Sequence, residues 1–142
     1  MSRIMALDYG TKRTGIAVSD PLQLIANGLT TVATHNVVEF IRSYTQNEVV
    51  ETIVVGLPRQ MNSQYSDTMK GIVPLWQTLH KQFPRIHFEY VDERFTSVLA
   101  HRAMLEAGLK KKARQNKALA DEVSATIILQ TYLESKRNNK ET

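Results

Sequence analysis

The stretch "LDYGTKRTGIAVSD", residues 7–20, constrains the fold more than any other part of the chain. The apolar runs "IMAL" before its turn and "TGIAV" after it each have the length of a buried strand. Glycine supplies the backbone angles that a tight connection between them needs, so the segment predicts a β-hairpin. The turn also carries Lys12 and Arg13, with Asp8 before it and Asp20 after it. A carboxylate placed directly after a buried strand is costly unless something pairs with it. The hairpin alone does not say what Asp8 meets.

The remaining apolar runs extend this beginning into a sheet. "ANGLTTVAT" has the β-branched enrichment of a third strand. "HNVVEFIRSYTQN" changes to helical spacing, with Asn36 as N-cap, Glu39 three residues on, and Val37, Phe40, Ile41 and Tyr44 on one face. "ETIVVGLP" reads as a buried strand stopped by Gly56 and Pro58, and "RQMNSQYSD" as a polar loop. Ile72, Leu75, Trp76, Leu79 and Phe83 keep a helical period, with Pro74 expected in the first turn or at a kink. "IHFEYV" alternates as a strand and runs into "DERFTS", where Thr96 or Ser97 can cap a helix that Gly108 ends. A last helix over roughly 117–136 is apolar nearly all round at "VSATIILQTYL", which predicts burial.

The predicted order is β-β-β-α-β-α-β-α-α. Strands joined by short turns run antiparallel, whereas strands reached through a helix run parallel to the first. The expected fold is therefore an α/β domain with one mixed five-stranded sheet. Its first three strands are antiparallel, its last two parallel to the first, and helices flank it. At 142 residues the chain is expected to form one domain, with a disordered basic tail from about 135.

Composition narrows the class. Hydrophobic content of 42% and charged content of 23% are ordinary for a soluble globular protein. No apolar run approaches the roughly 18 residues of a membrane span, and no signal-peptide pattern begins the chain, so a cytoplasmic location without membrane contact is expected. Without cysteine, disulfides, iron–sulfur clusters and cysteine-zinc sites are excluded. The net charge of +4 arises in the second half, in "KKKARQNK" (Lys110, Lys111, Lys112, Arg114, Lys117) and in "SKRNNK". Such clusters suit a phosphate backbone, or else form a solvated loop and tail.

Three acidic positions stand where a packed sheet can bring them together. Asp8 ends the first strand, Asp92 and Glu93 end the last, and Asp121 opens the final helix one turn before Ala125. Carboxylates that converge at one end of a sheet repel one another without a cation. Their natural partner is a hard divalent metal, Mg2+ or Mn2+, able to bind phosphate oxygens and activate water. Lys12, Arg13 and Arg94 lie beside these acids in sequence. Each acid also has a plainer reading: Asp8 and Asp20 as turn terminators, Asp92 as a helix cap, Glu93 as a surface partner of Arg94, Asp121 as a first-turn acid favoured by the helix dipole. The four histidines show no metal-ligand spacing, and no GxSxG, Walker A or GxGxxG motif is present.

The blocks "DYGTKRTGIAVSD", "IVVGLP", "VDERFTS" and "ADEVSATIILQTYL" together resemble the YqgF family, also called RuvX, of Holliday junction resolvases and pre-16S rRNA nucleases. The resemblance spans Ile4 to Leu133. It implies a ribonuclease H-like fold and a metal-dependent nuclease. It also implies Asp8, Glu93 and Asp121 as the catalytic, metal-holding acids, with Lys12, Arg13, Arg94 and Thr96 as nucleic-acid contacts. The chain departs from the family pattern after "GLP", where Asn62-Ser63 stands for an Asp-Gly or Asn-Gly pair, and at Ser124, where alanine is usual. The leading expectation is an endonuclease on structured RNA or branched DNA, in which the segment 110–117 and the basic turn position phosphates, acting as a monomer or weak homodimer. The alternative is a non-catalytic nucleic-acid-binding module that assists ribosome assembly. An actin-like ATPase, suggested by "DYGT" alone, needs two such domains.

Overall fold

The computed structural model describes residues 2–57, 63–92 and 117–141. Five strands, β1 (Arg3–Tyr9), β2 (Arg13–Ser19), β3 (Ala26–Ala33), β4 (Val50–Leu57) and β5 (His87–Asp92), form one sheet in the order β3-β2-β1-β4-β5. β1 pairs antiparallel with β2, and β2 with β3, while β4 runs parallel to β1 and β5 parallel to β4. The mixed sheet expected from the sequence is the one observed. The described helices are α1 (Val37–Thr45), α2 (Ser63–Gln82) and α3 (Lys117–Glu141).

Strand alternation divides the interior into two cores. Met5 and Leu7 of β1 face one side, where they join Ile53, Val55 and Phe88 with Val37 and Ile41 of α1 and Leu79 of α2. Ile4 and Ala6 face the other side, with Ala17, Val54 and the α3 residues Ala125, Ile128, Leu129 and Leu133. β4 is covered on both faces, which is why it reads as a continuous β-branched run rather than an alternating one. Ala6, Ala17 and Ala125 are small where α3 crosses the central strands, so the helix packs close. Each fully buried Ile or Leu contributes about 1.5–3 kcal/mol of apolar burial.

Several local expectations are corrected. A 3-10 turn over Thr34–Asn36 leads into α1, and Asn36, at φ −101 and ψ 1, makes no side-chain cap. Its backbone is already turned, away from the extended angles that aim a cap side chain at the helix amides. Glu39 pairs instead with Arg42. Gly56 does not stop β4 but pairs with Val91 inside the sheet. α2 begins at Ser63, within the segment read as a loop, and Pro74 lies well inside it. Pro74 and Lys70 are both exposed, so the Lys70 carbonyl that the proline cannot satisfy is open to water. α3 runs to Glu141, past the end expected near 136. The helix read over 96–108 lies outside the described residues.

The end of the sheet away from the carboxyl ends of β1, β4 and β5 is closed by a polar network. Ser2 Oγ donates to Glu51 at 2.8 Å, Gln23 Nε2 donates to the Ser2 carbonyl at 3.0 Å and to Glu51, and Lys136 Nζ reaches Gln23 Oε1 at 3.2 Å. Lys136 also lies 3.4 Å from Glu51. Partial burial works against the Glu51 charge, but the hydrogen bonds from Ser2 and Gln23 and the Lys136 ammonium outweigh it and hold the carboxyl below its usual range. Glu89 is held low as well, chiefly by the hydrogen bond from Tyr132. Burial first, then that bond, raises the Tyr132 phenol.

A carboxyl depressed in the folded state stabilises fully above its unfolded pKa and loses that contribution as pH falls through the folded one. The stability gap between the parent and Glu51→Gln is therefore expected to be constant above about pH 5 and to shrink toward pH 3. Urea denaturation across that range measures it; a gap independent of pH would remove Glu51 ionisation from the network's contribution.

Candidate active site

Asp8 is the sixth residue of β1 and shares its strand face with Ile4 and Ala6, the face covered by α3. It is half-buried, and its partner across the hairpin is Gly15, which presents no side chain. Leu57 and Asp92 end the neighbouring parallel strands in register with each other. Three strand termini therefore meet at one end of the sheet, the place where open α/β sheets usually bind their ligands.

The turn after β1 is clamped from the side. Thr34 Oγ1 donates to the Gly10 carbonyl at 2.6 Å, the Thr34 amide donates to the Lys12 carbonyl at 3.0 Å, and Thr14 and Thr34 hydroxyls lie 3.0 Å apart. Thr14 is fully buried, so this contact satisfies a hydroxyl that would otherwise be stranded in the core. A Cβ at Gly10 would stand 2.5 Å from the Arg13 carbonyl oxygen, closer than any side chain tolerates. The clamp fixes an exposed Lys12 and a half-buried Arg13 beside the end of β1.

Tyr9, next to Asp8, packs on the opposite face against α2. A Cβ at Gly71 would overlap the Tyr9 hydroxyl and ring, so the helix can approach the strand end only where it carries glycine. Burial raises the Tyr9 phenol above its ordinary value, which keeps it neutral. Thr14, Thr34, Tyr9 and Gly71 were not among the site residues read from the sequence. The available signals were a threonine inside an apolar strand run and a glycine in a helical period.

Asp20, the second acid of the opening stretch, has a structural task. Its Oδ1 accepts from the Leu24 and Ile25 amides, both at 2.8 Å, and its Oδ2 from Leu22 at 3.2 Å. The Ile25 hydrogen bond is the main reason its pKa falls below the ordinary value. The loop it organises holds Gln23 at φ 60.

The other expected site residues divide into two groups. Lys117 and Asp121 lie in the first turns of α3, Asp121 four residues before the buried Ala125. Going toward its C-terminus, α3 passes the Ala6 level and then reaches Glu51 and Gln23 with Lys136, so its first turns belong to the Asp8 end of the sheet. Glu93, Arg94, Thr96, Lys110, Lys111, Lys112 and Arg114 lie outside the described residues. Among the described residues, no three His, Asp or Glu side chains form a group that could hold a metal ion.

Residues 2–135 match the family described as "RuvX: Holliday junction resolvase". The chain belongs to this family. A relative from Bacteroides thetaiotaomicron, named "Putative pre-16S rRNA nuclease", is 71% identical over 137 residues, covering 96% of this chain and 99% of its own. A relative of the same name from Porphyromonas gingivalis is 56% identical over 135 residues, covering 95% and 98%. Among solved structures, "T. thermophilus RuvC in complex with Holliday junction substrate" superposes with a TM-score of 0.60 at 13% identity, covering 95% of this chain and 96% of that one. That likeness establishes that this chain shares the RuvC, ribonuclease H-like fold.

Removing the clamp or crowding the strand end should be visible in stability. Thr34→Val leaves the Thr14 hydroxyl and the Gly10 carbonyl short of partners and is expected to cost about 1–3 kcal/mol. Gly71→Ala, which must displace Tyr9, is expected to cost about 1–3 kcal/mol as an overpacking change. Denaturant unfolding measures both; a cost near zero for Gly71→Ala would show that Tyr9 is not pinned.

Proposed function

We propose that this protein is a metal-dependent endonuclease that hydrolyses phosphodiester bonds in structured nucleic acid, with the 5′ region of the pre-16S rRNA as its principal substrate. The observation that carries the reading is Asp8: a carboxylate at the carboxyl end of the sheet's central strand, beside a clamped basic turn. It stands in a chain 71% identical to a relative named "Putative pre-16S rRNA nuclease". Cleavage of four-way DNA junctions is the second reading, favoured by the family's description.

In this proposal Asp8, Glu93 and Asp121 hold Mg2+ or Mn2+. The donor set fits: carboxylate oxygens are what hard divalent cations prefer, and the chain has no cysteine to favour a softer metal. Such a cation, when bound, neutralises phosphate charge and supplies a more acidic water as nucleophile. The chain's own part is positioning. Lys12 and Arg13 hold a phosphate at the end of β1, and Arg94 and Thr96, which follow β5 in sequence, contact the substrate backbone together with Lys110, Lys111, Lys112, Arg114 and Lys117. Such contacts give affinity and register with little sequence selectivity. The chain works as a single nuclease domain, in the cytoplasm, as a monomer or weak homodimer.

The test is cleavage of a labelled pre-16S rRNA fragment and a labelled four-way DNA junction with Mn2+ or EDTA, using the parent and Asp8→Asn. Cutting should require metal and fall on the order of 100-fold or more in Asp8→Asn, while binding in EDTA persists. Cutting by Asp8→Asn at the parent rate would refute the metal-site assignment. Binding without cutting under every metal would make the protein a non-catalytic ribosome-assembly factor instead.

A further inference from the structure

On the face of the sheet away from α3, four rings form a contiguous group between α2 and the edge strand β5. Trp76 and Tyr90 stack with centroids 4.1 Å apart and planes 15° from parallel. His80 lies 4.8 Å from Trp76 and 4.7 Å from Phe88, and Phe88 meets the Trp76 edge at 5.6 Å. Only Phe88 is buried; Trp76 is half-buried, His80 is exposed and Tyr90 is 39% exposed. Phe88 and Leu79 already close the core here, so the Tyr90 ring covers Trp76 while keeping substantial area in water.

Lys70, Lys81 and Arg85 are exposed on α2 and the turn after it, and no Asp or Glu occurs between Lys70 and Phe88; the next acid, Glu89, is held by Tyr132 of α3 and by His87. Partly exposed stacked rings flanked by cations are the combination that binds single-stranded nucleic acid, with bases on the rings and phosphates on the cations. A duplex keeps its base faces inside and can use only the cations. Tyr90 also stands two residues before Asp92, roughly 7 Å along the strand from the end where the candidate acids gather.

We propose that Trp76, Tyr90 and His80 form a stacking subsite for an unpaired base of the nucleic-acid substrate, with Lys70, Lys81 and Arg85 on its flanking phosphates. The subsite rests on the nuclease reading only for the identity of that substrate. Bound there, an unpaired stretch passes around the end of β5 toward Asp8, which favours substrates with a single-stranded segment beside the cleaved bond.

Trp76 is the only tryptophan in the chain, so its emission reports on the subsite directly. The experiment titrates the full-length protein in EDTA with an oligoadenylate of about 12 nucleotides and with a blunt duplex of the same length. The single strand is expected to quench Trp76 and the duplex to leave it nearly unchanged. Tyr90→Leu, which keeps apolar bulk against Trp76, is expected to weaken single-strand affinity roughly 5- to 100-fold without changing duplex affinity. His80→Ala, at an exposed position, should weaken it in the same direction by less. Absence of quenching, or single-strand affinity unchanged in both variants, overturns the proposal, as does equal loss on strand and duplex. If Tyr90→Leu fails to fold by circular dichroism, parental quenching and His80→Ala decide. Because no metal is present, a negative result here is independent of whether the parent cuts RNA or DNA.

Discussion

β1 runs through the middle of the sheet with α1 and α2 on one side and α3 on the other, and Ile4 to Leu7 are shielded completely from solvent. A strand covered on both faces has no side on which an ionised group can rest, because an unpaired charge in that interior costs several kcal/mol. The only position at which β1 can carry a carboxylate is its end. Asp8 stands there, the first residue after Leu7, and the rest of the arrangement depends on that placement. The turn after it is basic, the neighbouring parallel strands end at the same level, and the first turns of α3 belong to the same end of the sheet.

Two acids occur in the opening stretch, and the structure gives them different places. In the Asp20 loop the carboxylate accepts from the amides of Leu22, Leu24 and Ile25. The turn after Asp8 is organised from elsewhere. The Thr34 hydroxyl and amide take the Gly10 and Lys12 carbonyls, and Thr14 completes the clamp. Asp8 itself is half-buried at the carboxyl end of the sheet's central strand, beside this clamped turn.

Much of this was legible because the signals were local. The limits of β1 and β2, the β-branched β3, the apolar face of α1 and the parallel return through helices all follow from short-range patterns that the structure reproduces. The failures have a common cause in longer-range interactions. The start of α2 is polar and gives no period, and Pro74 argues against a helix interior; tertiary packing of Ile72 and Leu79 outweighs both. Asn36 looks like a cap but follows a 3-10 turn that has already set the helix direction. Thr14 with Thr34 and Tyr9 with Gly71 are pairs twenty or more positions apart, and nothing in either neighbourhood announces its partner. Of the candidate site, Asp8 and the basic turn were legible because they adjoin a strand whose limits were clear.

The two ends of the sheet handle charge in opposite ways, which bears on where chemistry can occur. At the far end Glu51 is answered by Ser2, Gln23 and Lys136 from three separate elements, and midway along β5 Glu89 is answered by Tyr132 and His87. Those carboxylates are satisfied by the fold itself and tie the N-terminus, the β2–β3 loop and α3 together. At the Asp8 end the fold spends its polar contacts on holding backbone: the clamp rigidifies a turn, and Tyr9 fixes the strand terminus against α2. On the proposed function, rigid backbone carrying an acid and adjacent basic side chains is a preorganised arrangement, in which a phosphate meets charges already in position and little reorganisation remains. α3 spans both ends of the sheet: its last turns reach Glu51 and Gln23 through Lys136, while its first turns carry Asp121.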